Sequence, residues 1–245
     1  MIRNSRHSLG VLLVLSSLAA CDAPSLHPFF LAQQRPMILA HRGGGGIEPE
    51  ATVPTMVGTY MRNPAAVIEF DVHKSRDGQI VVMHDATVDR TTDGHGRLSS
   101  LTLSQVQSLD AGSWFDAEYA GTPVPTFAEF LDVLAASGHR AIVEFKGEWD
   151  AAAVAVAVAE VTSRNLERRI AVSSFDARTL GMAGAASSVL PRLFILRHLP
   201  PDVVRAATEA GVRGLIVDRR AVLERPEVVD AVSYTHLTLP TNREV

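Results

Sequence analysis

The sequence predicts an α/β protein built as a TIM-type (β/α) barrel, and three observations carry that prediction. Short apolar runs, bounded by polar or glycine signals, recur along the chain as buried strands do. Helical patterns separate the later runs, and alternation of strand with helix builds a parallel sheet. Acidic residues and histidines cluster at the ends of several runs, where a barrel of this kind places its active site.

Taken in order, strands are predicted over residues 37–40, 66–72, 80–83, 141–145, 170–173, 193–196 and 214–217. A helix over 126–137 opens on Thr126, with Glu129 three residues on as the partner of a capping box. An alanine-rich stretch predicts a second over 151–165. A third, over 201–210, begins with Pro201 and stops before Gly211. Only residues 73–79 separate the second strand from the third, too few for a helical crossover. The link is therefore an extended return or a local departure from barrel order. Residues 86–125 form a long segment before the next helix and read as a small insertion.

Bulk properties narrow the function. The 245 residues suffice for one barrel, and a net charge of −4 excludes an advertised nucleic-acid surface. A single cysteine excludes a disulfide framework within the chain. Arg3, Arg6 and His7 precede an apolar run too short to span a bilayer comfortably. The run ends Leu18-Ala19-Ala20-Cys21, which resembles a bacterial lipobox. That resemblance implies a signal peptide over 1–20, lipid on Cys21, and a lipid-anchored tether over 21–36 with prolines at 24, 28 and 36. The expected location is the bacterial cell envelope, membrane-anchored and facing the periplasm or exterior. Residues 232–245 resemble a translated sequencing adapter and are set aside as non-native. The barrel then covers 37–231. A closed barrel wants eight strands, so this one is expected to be truncated before the eighth.

The chemistry follows from the strand ends. Glu69 and Asp71 are two apart, so they share one face of their strand, and Glu144 repeats the situation further on. Three carboxylates at one mouth repel unless a cation joins them; one divalent ion, Ca²⁺ or Mg²⁺, resolves that. His41 and His84 lie beside them and match an acid/base pair. Arg42 and Lys146 suit a phosphate, although solvation or pairing with a carboxylate would also explain them. His73, His95, His139 and His198 read as structural or solvated.

These pieces resemble the glycerophosphodiester phosphodiesterase family. The resemblance is carried by His41-Arg42-Gly43 with Pro49-Glu50-Ala51-Thr52, by Ile68-Glu69-Phe70-Asp71-Val72, and by Asp77-Gly78 leading to Val82-Met83-His84-Asp85. Asp89-Arg90-Thr91-Thr92, Leu109-Asp110-Ala111-Gly112-Ser113-Trp114-Phe115, Pro125-Thr126-Phe127-Ala128-Glu129 and Val143-Glu144-Phe145-Lys146 complete it. It implies the barrel of the phospholipase-like phosphodiesterases, with its insertion after the third strand. It implies Glu69, Asp71 and Glu144 as metal ligands, with Glu50 as an outer or additional one. His41 and His84 become the acid and base, and Arg42 and Lys146 the phosphate holders. The implied reaction is hydrolysis of a small glycerophosphodiester to glycerol 3-phosphate and an alcohol. Ala51 departs from the family's usual asparagine. Other outcomes are a lysophospholipid or phosphoinositide substrate, a binding-only lipoprotein, or an inactive fragment.

Overall fold

The computed structural model describes residues 10–15, 27, 29–30, 38–229 and 237–238. Their strands are β1 (Gly10–Leu15), β2 (Leu39–Ala40), β3 (Val67–Lys74), β4 (Ile80–Val82), β5 (Arg140–Phe145), β6 (Ile170–Ser174), β7 (Arg192–Leu196), β8 (Gly214–Asp218) and β9 (Leu237–Thr238). The helices are α1 (Val53–Arg62), α2 (Leu103–Gln107), α3 (Phe127–Ser137), α4 (Ala151–Thr162), α5 (Ala177–Ala186), α6 (Val203–Glu209) and α7 (Arg219–Glu224).

All seven expected strands form, but only six of them run parallel, in the order β2-β3-β5-β6-β7-β8. The third predicted strand, β4, pairs antiparallel with β3 and lies off the parallel path, with Val81 making an isolated bridge to Thr126. The extended return is thus the alternative that holds. Ser75 N–H donates to Gln79 O at 2.9 Å and Gly78 N–H to Ser75 O at 3.0 Å, closing a tight hairpin. Gly78 sits at φ 76°, a left-handed conformation that glycine adopts without a steric penalty. The curled parallel sheet with helices outside it is the (β/α) architecture expected.

The helix signals read from sequence mark real ends. Thr126 Oγ1 accepts from Glu129 N–H at 3.1 Å, and Glu129 Oε2 accepts from Thr126 N–H at 2.7 Å, so the capping box is complete. Asp150, Asp176, Asp202 and Asp218 accept from first-turn N–H groups of α4, α5, α6 and α7. Helix α4 closes through Asn165 at φ 55°, with Leu166 N–H reaching back to Val161 O at 3.1 Å. The third expected helix starts at Val203 rather than Pro201, because Asp202 is its cap.

Side chains alternate across the sheet. Ile68, Phe70 and Val72 of β3 pack outward in one cluster with Phe127, Phe130 and Leu131 of α3. Val67, Ile142, Ala171 and Leu193 point inward and form the floor of the barrel with Phe29 and Phe30. Within the segment expected as a tether over 21–36, Phe29 is fully buried, and its carbonyl accepts from Arg140 Nη1 at 2.6 Å. The insertion has a core of its own on the flank of β4, made of Val81, Met83, Val88, Leu98, Val106, Ala111 and Val124.

Gly10–Leu15, inside the expected signal peptide, pairs antiparallel with β8, and β9 from the expected adapter tail pairs with β1. An apolar run that can extend covers an open sheet edge. Cys21 and the rest of both ends lie outside the described residues. Among the described residues no helix is long and apolar enough to cross a membrane.

Candidate active site

Two groups of side chains meet at the carboxyl ends of β2, β3 and β5 and in the loop after β4. The first stands directly above the apolar floor. Along β3 the inward positions are Val67, Glu69 and Asp71, and Asp71 is in register with Glu144 of β5. Strand alternation alone therefore aims all three carboxylates into the barrel mouth. They are buried, and each offers an oxygen within 4.8 Å of the others. Lys146 follows β5 and brings its ammonium to 3.2 Å from Asp71 Oδ1 and 2.9 Å from Glu144 Oε1. Neither oxygen of Asp71 meets a hydrogen-bond donor in good geometry.

One ammonium does not balance three buried carboxylates. Burial pushes Asp71 up to about 8, with Glu69 adding repulsion. Burial likewise raises Glu69 and Glu144 above the ordinary carboxylate range. Burial works to lower Lys146, but the adjacent Asp71 and Glu144 outweigh it and hold the ammonium charged. Buried, mutually repelling, underbonded oxygens are the donor set a hard divalent cation takes.

The second group is held by the His41–Glu50 loop. Arg42 at φ 53° and Gly43 at φ 80° turn the chain so that Arg42 N–H donates to Glu69 Oε2 at 3.0 Å. Gly44, at φ 110°, lies against Thr59, where a side chain would collide with the threonine hydroxyl. Thr59 Oγ1 donates to Gly43 O at 2.7 Å, and Thr55 Oγ1 to Pro49 O at 2.6 Å, pinning both ends of the loop to α1. His41 Nε2 lies 3.9 Å from Glu69 Oε2.

Arg42 Nη1 donates to both oxygens of Glu50, at 3.1 and 3.2 Å, and its Nη2 meets His84 Nε2 at 3.1 Å. A guanidinium only donates, so His84 Nε2 is the acceptor and its proton sits on Nδ1. That Nδ1 is 2.6 Å from Asp85 Oδ1, the carboxylate it donates to. Burial lowers the pKa of His84 despite the opposing pull of Asp71, so the ring is neutral near pH 7. Burial alone would raise Glu50 and Asp85, but Arg90 with Arg42 at the first, and Arg90 with His84 at the second, hold both carboxyls below their ordinary values.

The structure thus brings together His41, Arg42, Glu69, Asp71, His84, Glu144 and Lys146. It sets Glu50 apart from the three-carboxylate cluster, with both oxygens taken by arginines. His73, expected to be structural, is buried with Nε2 at 3.2 Å from the His84 carbonyl. Sequence reasoning gave no role to Asp85 or Arg90. Adjacency to His84 could have pointed to the first. Nothing local points to the second, whose partner Glu50 is forty residues away.

The comparisons agree with this geometry. The model of the glycerophosphoryl diester phosphodiesterase family matches residues 41–233. A glycerophosphodiester phosphodiesterase of Bacillus subtilis is 37% identical over 134 residues, covering 51% of this chain and 44% of that protein. One from Caldanaerobacter subterraneus is 33% identical over 145 residues, 57% of this chain and 58% of that one. The matches to these curated relatives span about half of their length. A solved Oleispira antarctica phosphodiesterase, in complex with the product sn-glycerol-3-phosphate, is 26% identical with a TM-score of 0.70, covering 80% of this chain and 81% of that one.

Proposed function

The chain belongs to the glycerophosphoryl diester phosphodiesterase family, and from that premise we propose that it hydrolyses glycerophosphodiesters to glycerol 3-phosphate and an alcohol. The observation that carries the proposal is a buried three-carboxylate cluster beside a histidine whose Nε2 is unprotonated and whose Nδ1 is backed by Asp85. Glu69, Asp71 and Glu144 would hold one divalent cation, Ca²⁺ or Mg²⁺. When bound, such an ion offsets the charge that develops on the phosphoryl oxygens. The donor set fits it, since the oxygens converge and those of Asp71 are underbonded.

The remaining work falls to this chain's side chains. Arg42, whose guanidinium here bridges Glu50 and His84, and Lys146, whose ammonium lies against Asp71 and Glu144, would turn guanidinium and ammonium to a phosphate, which also frees His84 Nε2. His84 Nε2 takes the proton of the attacking hydroxyl, from water or from the glycerol itself, while Asp85 steadies the imidazolium that results. His41, on the Glu69 side, returns a proton to the leaving alcohol oxygen. The substrate is read as water-soluble. We also read the protein as exported and held at the cell envelope through lipid on Cys21, on the strength of the Leu18-Ala19-Ala20-Cys21 stretch alone.

The test is release of glycerol 3-phosphate from glycerophosphocholine, set beside release from a lysophospholipid, with His84→Ala as control. The expected result is turnover of the soluble diester, falling on the order of 10²–10⁴-fold in the variant. A folded His84→Ala protein with undiminished turnover would remove the acid/base scheme. Preference for the lysophospholipid would move the substrate to a lipid surface.

A further inference from the structure

Arg90 of the insertion reaches the active site, and we propose that it is a positioning residue that sets the tautomer of His84. The inference rests on the proposed reaction for its consequence, but not for its geometry. Arg90 Nε donates to Asp85 Oδ2 at 2.6 Å, and its Nη2 to Asp85 Oδ1 at 3.1 Å. Its Nη1 donates to Glu50 Oε2 at 2.9 Å, and Nη2 also to Glu50 Oε1 at 2.7 Å. With the bonds already described, the contacts close a ring: Arg90, Asp85, His84, Arg42, Glu50 and back to Arg90.

Each link constrains the next. Asp85 can face His84 Nδ1 or swing to solvent, since about a quarter of its side chain is exposed. The fork of Arg90 grips both of its oxygens in one plane and removes that freedom, which a point charge could not do. A fixed Asp85 keeps the proton of neutral His84 on Nδ1. The lone pair then lies on Nε2, the atom that faces Arg42. At the other end, the same guanidinium shares Glu50 with Arg42 and so fixes where the Arg42 fork points. Arg90 meets Asp85 and Glu50 rather than the reacting atoms, and so acts through them.

Three parts of the chain are tied this way: the turn after β2, the turn after β4 and the insertion. Sequence alone offered the stretch Asp89-Arg90-Thr91-Thr92 without a reason for its arginine. The ring supplies one. It also gives the insertion a task in the barrel's chemistry, beyond covering β4.

The experiment is ¹⁵N NMR of the histidine rings in the full-length chain, with steady-state kinetics on glycerophosphocholine, for wild type, Arg90→Ala and Arg90→Lys. The expected result is a single Nδ1–H tautomer for His84 in wild type and a mixture of tautomers in Arg90→Ala. Turnover in Arg90→Ala should fall about 10²-fold in kcat, with KM little changed, as misplacement of a catalytic group does. Added guanidinium should restore part of both the tautomer and kcat. Lysine, lacking the fork, should rescue poorly. Retention of the Nδ1–H tautomer in folded Arg90→Ala overturns the proposal whether or not turnover falls, since any loss is then structural. A tautomer mixture at wild-type kcat overturns it equally. Should the wild-type chain show no turnover, the reading of the reaction fails, while the tautomer comparison still decides the role of Arg90.

Discussion

The two halves of the active site are built on opposite electrostatic principles. On the β3–β5 side, three buried carboxylates face one ammonium. On the loop side, two guanidiniums face two carboxylates around a neutral imidazole, and their hydrogen bonds close a ring, with Arg42 Nε left outside it. The first half sets more carboxylates than cations against one another, a donor set that could take a further cation. The second half is closed into a ring by its own side chains, and under the proposed reaction it would hold proton-transfer atoms still. A buried charge left unpaired is costly, whereas a satisfied polar network rigidifies what it contains. Under the proposed reaction, the same fold would keep one half responsive to a ligand and the other fixed.

The sharpest way to break this contrast is to remove the ammonium. Lys146→Met should destabilise the cation-free protein by about 3 kcal/mol, because three carboxylates are left facing one another. Urea denaturation with chelator, then with Ca²⁺ or Mg²⁺, measures the loss and its recovery. A second expectation separates the halves directly. A divalent cation at a hundredfold excess over its Kd should stabilise the protein by about 2.7 kcal/mol. Asp71→Asn should abolish that response and Glu50→Gln should leave it, since only the first residue belongs to the carboxylate cluster. Thermal melts of the two variants with and without cation report it.

Acidity gives a third test. Asp71 titrates near 8 when folded and at 3.8 ordinarily, so the folded state holds the extra proton between those values. Stability of the chelated protein should therefore fall as pH rises from 4 to 8. Glu69 and Glu144, also raised, act with the same sign. Saturating cation should flatten the slope, and urea midpoints across that range would show it. The smallest effect concerns Ala51, held at φ 59° where asparagine is tolerated far better. Ala51→Asn should raise stability by about 0.5–1 kcal/mol without altering the cation response, as thermal melts would record.

How much of this could be read beforehand follows the range of the forces involved. Strands and caps are local, so the buried strands, the Thr126–Glu129 box and the Gly211 stop were all legible. Helix α5 was not, because Gly181 and Gly184 weaken its pattern and packing against α4 and β7 makes up for propensity. The parallel strand count was overstated, since period alone cannot tell a hairpin return from a barrel strand. The carboxylate cluster was legible because strand alternation and strand ends fix it. The ring was not, because Arg90, Glu50 and Asp85 meet only when the insertion folds back onto the β2 turn. The burial of Phe29 and Phe30 was hidden by the surrounding prolines, which read as a linker.

The most direct test of the account is an assay of glycerol 3-phosphate released from glycerophosphocholine by the purified chain, first with chelator and then with Ca²⁺ or Mg²⁺ restored. The account predicts no turnover under chelation, full recovery on adding the ion, and no recovery in Asp71→Asn. Turnover that ignores the chelator, or cation binding with no product at all, would contradict it.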